Sequence, residues 1–180
     1  MKDDSGSHWN DVDFFVLRLI ALAALLAAPV VAAPAPHLVA RSFDELAKPL
    51  PLPYDEKADA EAAIKAATAR AKAGKKRLLI DLGGNWCPDC RILAGTMELP
   101  QLKAFLRQHY ELVMVDIGRY DRNMQIPARY GIAKPEGVPA LLVIDPRTNK
   151  LLNPGRTSAL ADARSMTPQA LADWLAQWTR

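Results

Sequence analysis

Three stretches of the chain are almost continuously apolar, and each is bounded by turn residues. Leu78-Leu79-Ile80-Asp81-Leu82 follows Arg77 and is broken by Gly83-Gly84-Asn85. Glu111 to Ile117 is centred on Leu112-Val113-Met114-Val115, and Ala140 to Ile144 is entered directly from Val138-Pro139. Runs of this length and composition predict buried strands. Asp145-Pro146-Arg147-Thr148-Asn149 predicts a turn, with Lys150 to Leu152 pairing back as a hairpin strand.

Helical spacing fills the intervals. An Ala-rich helix is predicted from about Asp55 to Lys72, with Ala62, Ile64, Ala66, Ala67 and Ala71 on its apolar face and Gly74 ending it. A helix starts at Cys87 and runs to about Met97, with Pro88 in the first turn, where no backbone donor is needed. Pro100 interrupts, and a second helix reaches about Gln108. A short helix falls within Asp121 to Tyr130, around Pro127. The last helix has Thr167 as N-cap, Pro168 as first residue, and Leu171, Trp174, Leu175 and Trp178 on one stripe. Helices alternating with strands, then a hairpin, predict an α/β fold with a mixed central sheet flanked by helices.

Residues ahead of this pattern read differently. Leu19 to Ala33 is apolar, Ala-rich and ends in small residues, after Arg18. That is the form of a secretory signal peptide, with an uncleaved anchor as the alternative. Asp3, Asp4, Asp11 and Asp13 make the leader acidic where a basic one is the rule, which places the translation start near Val16. Residues 34–53 hold Pro34, Pro36, Pro49, Pro51 and Pro53 and read as an extended tether. The expected division is therefore 1–33 leader and signal or anchor, 34–53 tether, and 54–180 folded domain. The expected location is periplasmic or secreted, or membrane-anchored facing the periplasm. The membrane is touched only through the N-terminal segment if that is uncleaved.

Composition changes little. Half the residues are apolar and the net charge is +3, from 23 basic and 20 acidic residues. The basic residues are dispersed, so no nucleic-acid partner is expected. The two cysteines matter more. Cys87 and Cys90 close too short a loop to staple a fold, so the pair reads as chemical. With His8, His37 and His109 the only histidines, no metal is expected, and no cofactor. A Cys-x-x-Cys at a strand-to-helix junction puts its first sulfur at a helix N-terminus, which favours the thiolate that attacks disulfides. Cys87 is then the exposed attacking thiol and Cys90 the buried resolving one. These form the expected redox-active disulfide.

Gly84-Asn85-Trp86-Cys87-Pro88-Asp89-Cys90-Arg91 resembles the active-site motif of the thioredoxin family. Tyr130-Gly131-Ile132 and Gly137-Val138-Pro139-Ala140-Leu141-Leu142 resemble its cis-proline region. The resemblance spans roughly Tyr54 to Arg180 and implies a thioredoxin fold. It implies that Pro139 is a cis-proline facing the cysteines, that the Val138 backbone pairs with a substrate strand, and that Trp86 covers one side of the pair. It also implies that Asp81, a carboxylate that is costly on an apolar strand, assists proton transfer at Cys90. The family's lysine near this aspartate is replaced by Leu112, and extra residues around Ala133-Lys134-Pro135 lengthen the loop before Pro139.

The implied activity is protein thiol–disulfide oxidoreduction on protein disulfide clients. The alternative is a client-binding or chaperone module with little turnover. Direction turns on the acidity of Cys87. Pro88 removes one N–H, Asp89 adds negative charge, and Arg91 opposes it from a side chain expected to point to water. A moderately stabilised thiolate suits a reductase or isomerase supplied by a membrane electron donor better than a primary oxidant.

Overall fold

In the computed structural model, which describes residues 31–179, a four-stranded sheet has the order β2-β1-β3-β4. Its strands are β1 (Arg77–Gly83), β2 (Tyr110–Asp116), β3 (Ala140–Asp145) and β4 (Lys150–Leu151). β1 runs parallel to β2 and antiparallel to β3, and β3 pairs antiparallel with β4, so the sheet is mixed as expected. The helices are α1 (Ala60–Gly74), α2 (Pro88–Met97), α3 (Pro100–His109), α4 (Gln125–Ala128) and α5 (Pro168–Ala176).

The period-2 alternation of strand side chains divides the core into two clusters. Leu78, Ile80 and Leu82 of β1 pack with Ile64, Ala67 and Ala71 of α1 and with Ile126 of α4. Leu79, in the opposite phase, packs with Leu93 and Met97 of α2, Leu102 and Leu106 of α3, and Leu171 and Leu175 of α5. Asp81 shares the phase of Leu79, so its carboxyl is turned toward the face that carries α2. The buried α1 residues Ala60, Ile64, Ala67 and Ala71 form one helical stripe.

Caps explain the boundaries. α1 begins at Ala60 rather than Asp55 because Asp59 is its N-cap, accepting the Ala62 N–H, while Asp55 accepts the Lys57 N–H in a separate turn. Gly74 is the last residue of α1. The left-handed position falls on Lys75, at φ 54°. Thr167 caps α5 as expected, accepting from Ala170, with Pro168 at the first helical position. Trp178 lies just beyond the helix but packs with Leu171 and Leu175 in the same cluster.

The proline-rich segment is not a free tether. Leu38 and Leu46 are buried, and Phe43–Glu45 forms a 3-10 turn closed by a Ser42/Glu45 capping box. Gln169 of α5 accepts the Leu38 N–H at 2.9 Å and donates to the Pro36 carbonyl at 3.1 Å. Gly95 makes room for the segment on α2, since a Cβ there would stand 3.1 Å from Leu50 and 3.3 Å from Leu46. Prolines prevent regular hydrogen bonding but do not prevent alternate side chains from being buried. Among the described residues no helix is long and apolar enough to cross a membrane. The apolar run Leu19 to Ala33, apart from its last three residues, lies outside the described residues.

Candidate active site

β1 ends at Gly83, and a tight turn brings the chain to Cys87, whose N–H donates to the Gly84 carbonyl at 3.0 Å. Cys87 is the N-cap of α2. Its sulfur accepts the Cys90 N–H at 3.2 Å, and Pro88 occupies the first helical position. Both cysteines are reduced. Cys90 is fully buried. Cys87, expected to be exposed, is only 3% accessible. The reason is the loop before β3: the Val138 carbonyl lies 3.4 Å from the Cys87 sulfur, accepting its S–H, and the Val138–Pro139 peptide bond is cis.

The two sulfurs are electrostatically unlike. The Cys90 thiol hydrogen bond lowers the Cys87 pKa to about 7, helped by the backbone N–H groups of Cys90 and Asp89 and opposed by burial and by the Asp89 charge. The same pairing, together with burial, pushes Cys90 far above its usual value. At neutral pH a substantial fraction of Cys87 is thiolate, and Cys90 keeps its proton.

Asp81 is completely buried on β1. Its Oδ1 accepts the Tyr54 hydroxyl at 3.0 Å, and its Oδ2 has no hydrogen-bond partner among the described residues. Burial raises its pKa to about 7, with the Tyr54 hydrogen bond working against the rise and the Cys87 charge adding to it. No lysine faces it across the sheet: in register, Asp81 pairs with Met114 and Leu79 with Leu112. Tyr54 is its hydrogen-bond partner among the described residues. It is itself fixed by Asn85, which accepts the Tyr54 N–H at 3.1 Å and donates to its carbonyl at 2.8 Å.

Asp89 is also buried, yet its carboxyl is held below the usual range. Burial works against this, and the Arg164 guanidinium and backbone N–H outweigh it. Arg164 N donates to Oδ1 at 2.9 Å, and its Nε reaches Oδ1 at 3.0 Å and Oδ2 at 3.1 Å. Arg91, expected to extend into water, instead donates to the carbonyls of Leu50 at 3.0 Å and Pro51 at 3.2 Å. The counter-charge for Asp89 therefore comes from Arg164, far along the chain, and Arg91 anchors the proline-rich segment.

Trp86 is 41% exposed. Its indole N–H donates to the Gly118 carbonyl at 2.8 Å, and the Arg119 guanidinium stacks 4.5 Å from its ring centroid. It forms an open apolar shelf beside the pair, fixed to the loop after β2. The lengthened loop before Pro139 is pinned by Ser158, which accepts the Gly137 N–H at 3.2 Å and donates to the Gly137 carbonyl at 3.0 Å. Lys134 of that loop lies over the Tyr120 ring at 4.8 Å. Among the described residues no three His, Cys, Asp or Glu side chains cluster to hold a metal ion.

The structure thus gathers Cys87, Cys90, Asp81 and Val138-Pro139 at one end of the sheet, with Trp86 at the rim. Sequence reasoning missed Tyr54, Asn85 as its clamp, Arg164 and Ser158. Only Tyr54 left a trace, as a lone tyrosine where the prolines stop.

A helix-capping thiolate, a buried partner thiol one turn on and a facing cis-proline define a thiol–disulfide exchange centre. Residues 59–146 match the family model described as thioredoxin-like. The disulphide isomerase of Xylella fastidiosa Temecula1 is 37% identical over 71% of this chain and 96% of its own, with a TM-score of 0.66. A protein of unknown function from Pseudomonas aeruginosa is 19% identical over 66% of this chain and 83% of its own, with a TM-score of 0.35. Among curated proteins, none matches the chain. The chain belongs to the thioredoxin-like family and is, at the level of that family, a thiol–disulfide oxidoreductase.

Proposed function

We propose that this is an exported oxidoreductase that reduces or isomerises protein disulfides, with Cys87 attacking and Cys90 resolving. The observation that carries the reading is the inequality of the two thiols. Cys87 is lowered to about 7 at a helix N-terminus, while Cys90 is sealed in the core and held protonated.

In the forward direction the Cys87 thiolate attacks one sulfur of a client disulfide. A Cys87–client disulfide forms and the other client sulfur leaves as thiolate. Cys90 then loses its proton and attacks Cys87 Sγ, forming the Cys87–Cys90 disulfide and releasing the second client thiolate. Two electrons pass from the pair to the client. Asp81, with its pKa near 7, takes the Cys90 proton in this scheme. A client strand lying along Val138 would bring its disulfide to Cys87, whose burial restricts attack to partners seated there. Trp86 offers such a client an apolar edge.

A Cys87 pKa of about 7 is far from the ~3.5 of the strongest oxidants in this chemistry and near the value of ~7 found in reductants. The reduced pair is then only moderately stabilised, and the potential lies at roughly −270 to −200 mV. Such a protein donates electrons, and in an oxidising compartment it needs a donor at the membrane. Export and this donor rest on the signal-like run Leu19 to Ala33.

Two experiments test the reading. Cys90→Ser, expressed with its natural leader, should accumulate mixed disulfides through Cys87 with exported proteins. Adducts that require Cys90 would reverse the roles, and exclusively cytosolic adducts would remove the export claim. Equilibration against glutathione, read by thiol alkylation, should give a potential in the stated range. A value near about −120 mV would make the protein an oxidant.

A further inference from the structure

Among the described residues the resolving thiol has no base in direct hydrogen-bonded contact. Asp81 spends its one protein hydrogen bond on Tyr54, and Tyr54 comes from outside the region matched by the family model. Tyr54 is 2% exposed, and its hydroxyl, which donates to Asp81 Oδ1 at 3.0 Å, stands beside the Cys90 sulfur over Gly83. Gly83 makes this contact possible. A Cβ at Gly83 would collide with the Tyr54 hydroxyl and stand 2.8 Å from Cys90 Sγ, so both groups close over a bare Cα. The Asn85 clamp sets the depth of the ring, because Asn85 belongs to the same turn that delivers Cys87.

We propose that the Tyr54 hydroxyl is the proton relay between Cys90 and Asp81. It passes its own proton to Asp81 Oδ1 while receiving the one that leaves Cys90, so that no charged tyrosine forms. The inference rests on the exchange chemistry proposed above and assigns its proton path. Balance is simple. Cys90 S–H becomes the attacking thiolate, the hydroxyl ends with one proton as it began, and Asp81 carries the proton until a leaving client thiolate or solvent takes it. The reverse order reprotonates Cys90 when the oxidised pair is reduced. The titratable groups beside the hydroxyl are Asp81 and Cys90, and both change state in the reaction. A raised Tyr54 pKa, caused first by burial and then by the Asp81 and Cys90 charges, keeps the phenol neutral, as a concerted relay requires.

The test is Tyr54→Phe in the full chain, which removes only an oxygen from a buried ring. Reaction of the reduced protein with 5,5′-dithiobis(2-nitrobenzoate) separates the two steps. The first coloured thiolate reports attack by Cys87, and the second reports resolution by Cys90. The first rate should stay within about twofold, and the second should fall roughly ten- to hundredfold, with the thermal midpoint nearly unchanged. The Asp81 carboxyl, followed by carbon NMR, should titrate at higher pH once its hydrogen bond is gone, and Tyr54→Phe should add little to Asp81→Asn. An unchanged second step, or equal slowing of both steps, would overturn the relay and leave Tyr54 a packing residue. Failure of the wild-type protein to reduce client disulfides, with both coloured steps intact, would instead remove the proposed client activity and leave the relay standing.

Discussion

Asp81 and Asp89 are both buried, and both adjoin the cysteine pair. Their surroundings drive them in opposite directions. Asp89 has a forked partner in Arg164 and is held below the usual carboxylate range, so it is a negative charge at neutral pH. Asp81 has a single neutral hydrogen bond and an unpaired oxygen, and it rises to about 7. Burial alone does not decide the state of a carboxylate; the partner does. The first is a structural charge beside Cys87. The second is a titrating group on the side of Cys90.

The sharpest way to break this contrast is to neutralise each carboxylate in turn. Asp81→Asn should slow disulfide turnover about ten- to hundredfold at pH 7. Asp89→Asn should change it by no more than about threefold, because that group never takes a proton in the cycle. Comparable losses in an insulin-reduction assay would erase the distinction.

Stability should separate the two carboxylates with opposite sign. A carboxyl near 7 in the folded state and about 3.9 unfolded binds more protons when folded, so stability falls as pH rises from about 4 to 7. Asp81→Asn should therefore stabilise the reduced protein at pH 8, by about 1–3 kcal/mol in urea unfolding. Asp89 contributes the other way: its stabilisation is present above about pH 4 and is lost as pH falls through its lowered folded value. Asp89→Asn should accordingly destabilise at neutral pH. A wild-type stability that is flat between pH 4 and 7 would contradict the buried, unpaired Asp81.

The smallest effect concerns Cys87. Arg164→Gln leaves the Asp89 charge facing Cys87 uncompensated, so the alkylation midpoint of Cys87 should move up from about 7, by less than about one unit. A downward move would mean that Arg164 acts on the thiolate in some other way.

Most of the frame was legible because its signals are local. The three buried strands, the Thr167-Pro168 start of α5 and the cysteine turn each fit within one stretch of chain. Asp81 was legible for a related reason, since a carboxylate within Leu78-Leu79-Ile80-Asp81-Leu82 has nowhere polar to go on either face. What escaped is long-range. Tyr54 meets Asp81, and Arg164 meets Asp89, across intervals that leave no periodicity. The segment before Tyr54 was misread because its prolines exclude a helix, and that exclusion was taken for lack of packing, while Leu38 and Leu46 were already spaced to enter the core. The exposure of Cys87 was misjudged because the covering carbonyl comes from Val138, on another strand's approach.

Arg91 has one further consequence. Its two bonds to the Leu50 and Pro51 carbonyls moor the proline-rich segment to the helix that carries the cysteines. A recombinant fragment trimmed to the family boundary at residue 59 would keep every motif residue from Asp81 to Pro139. It would lose Tyr54, strip the apolar cover from Gly95, and leave the half-buried Arg91 guanidinium without these two acceptors. Such a fragment would test the activity of a different object. Boundaries drawn from shared sequence mark what relatives hold in common, and here the individuality of the centre begins upstream of that line.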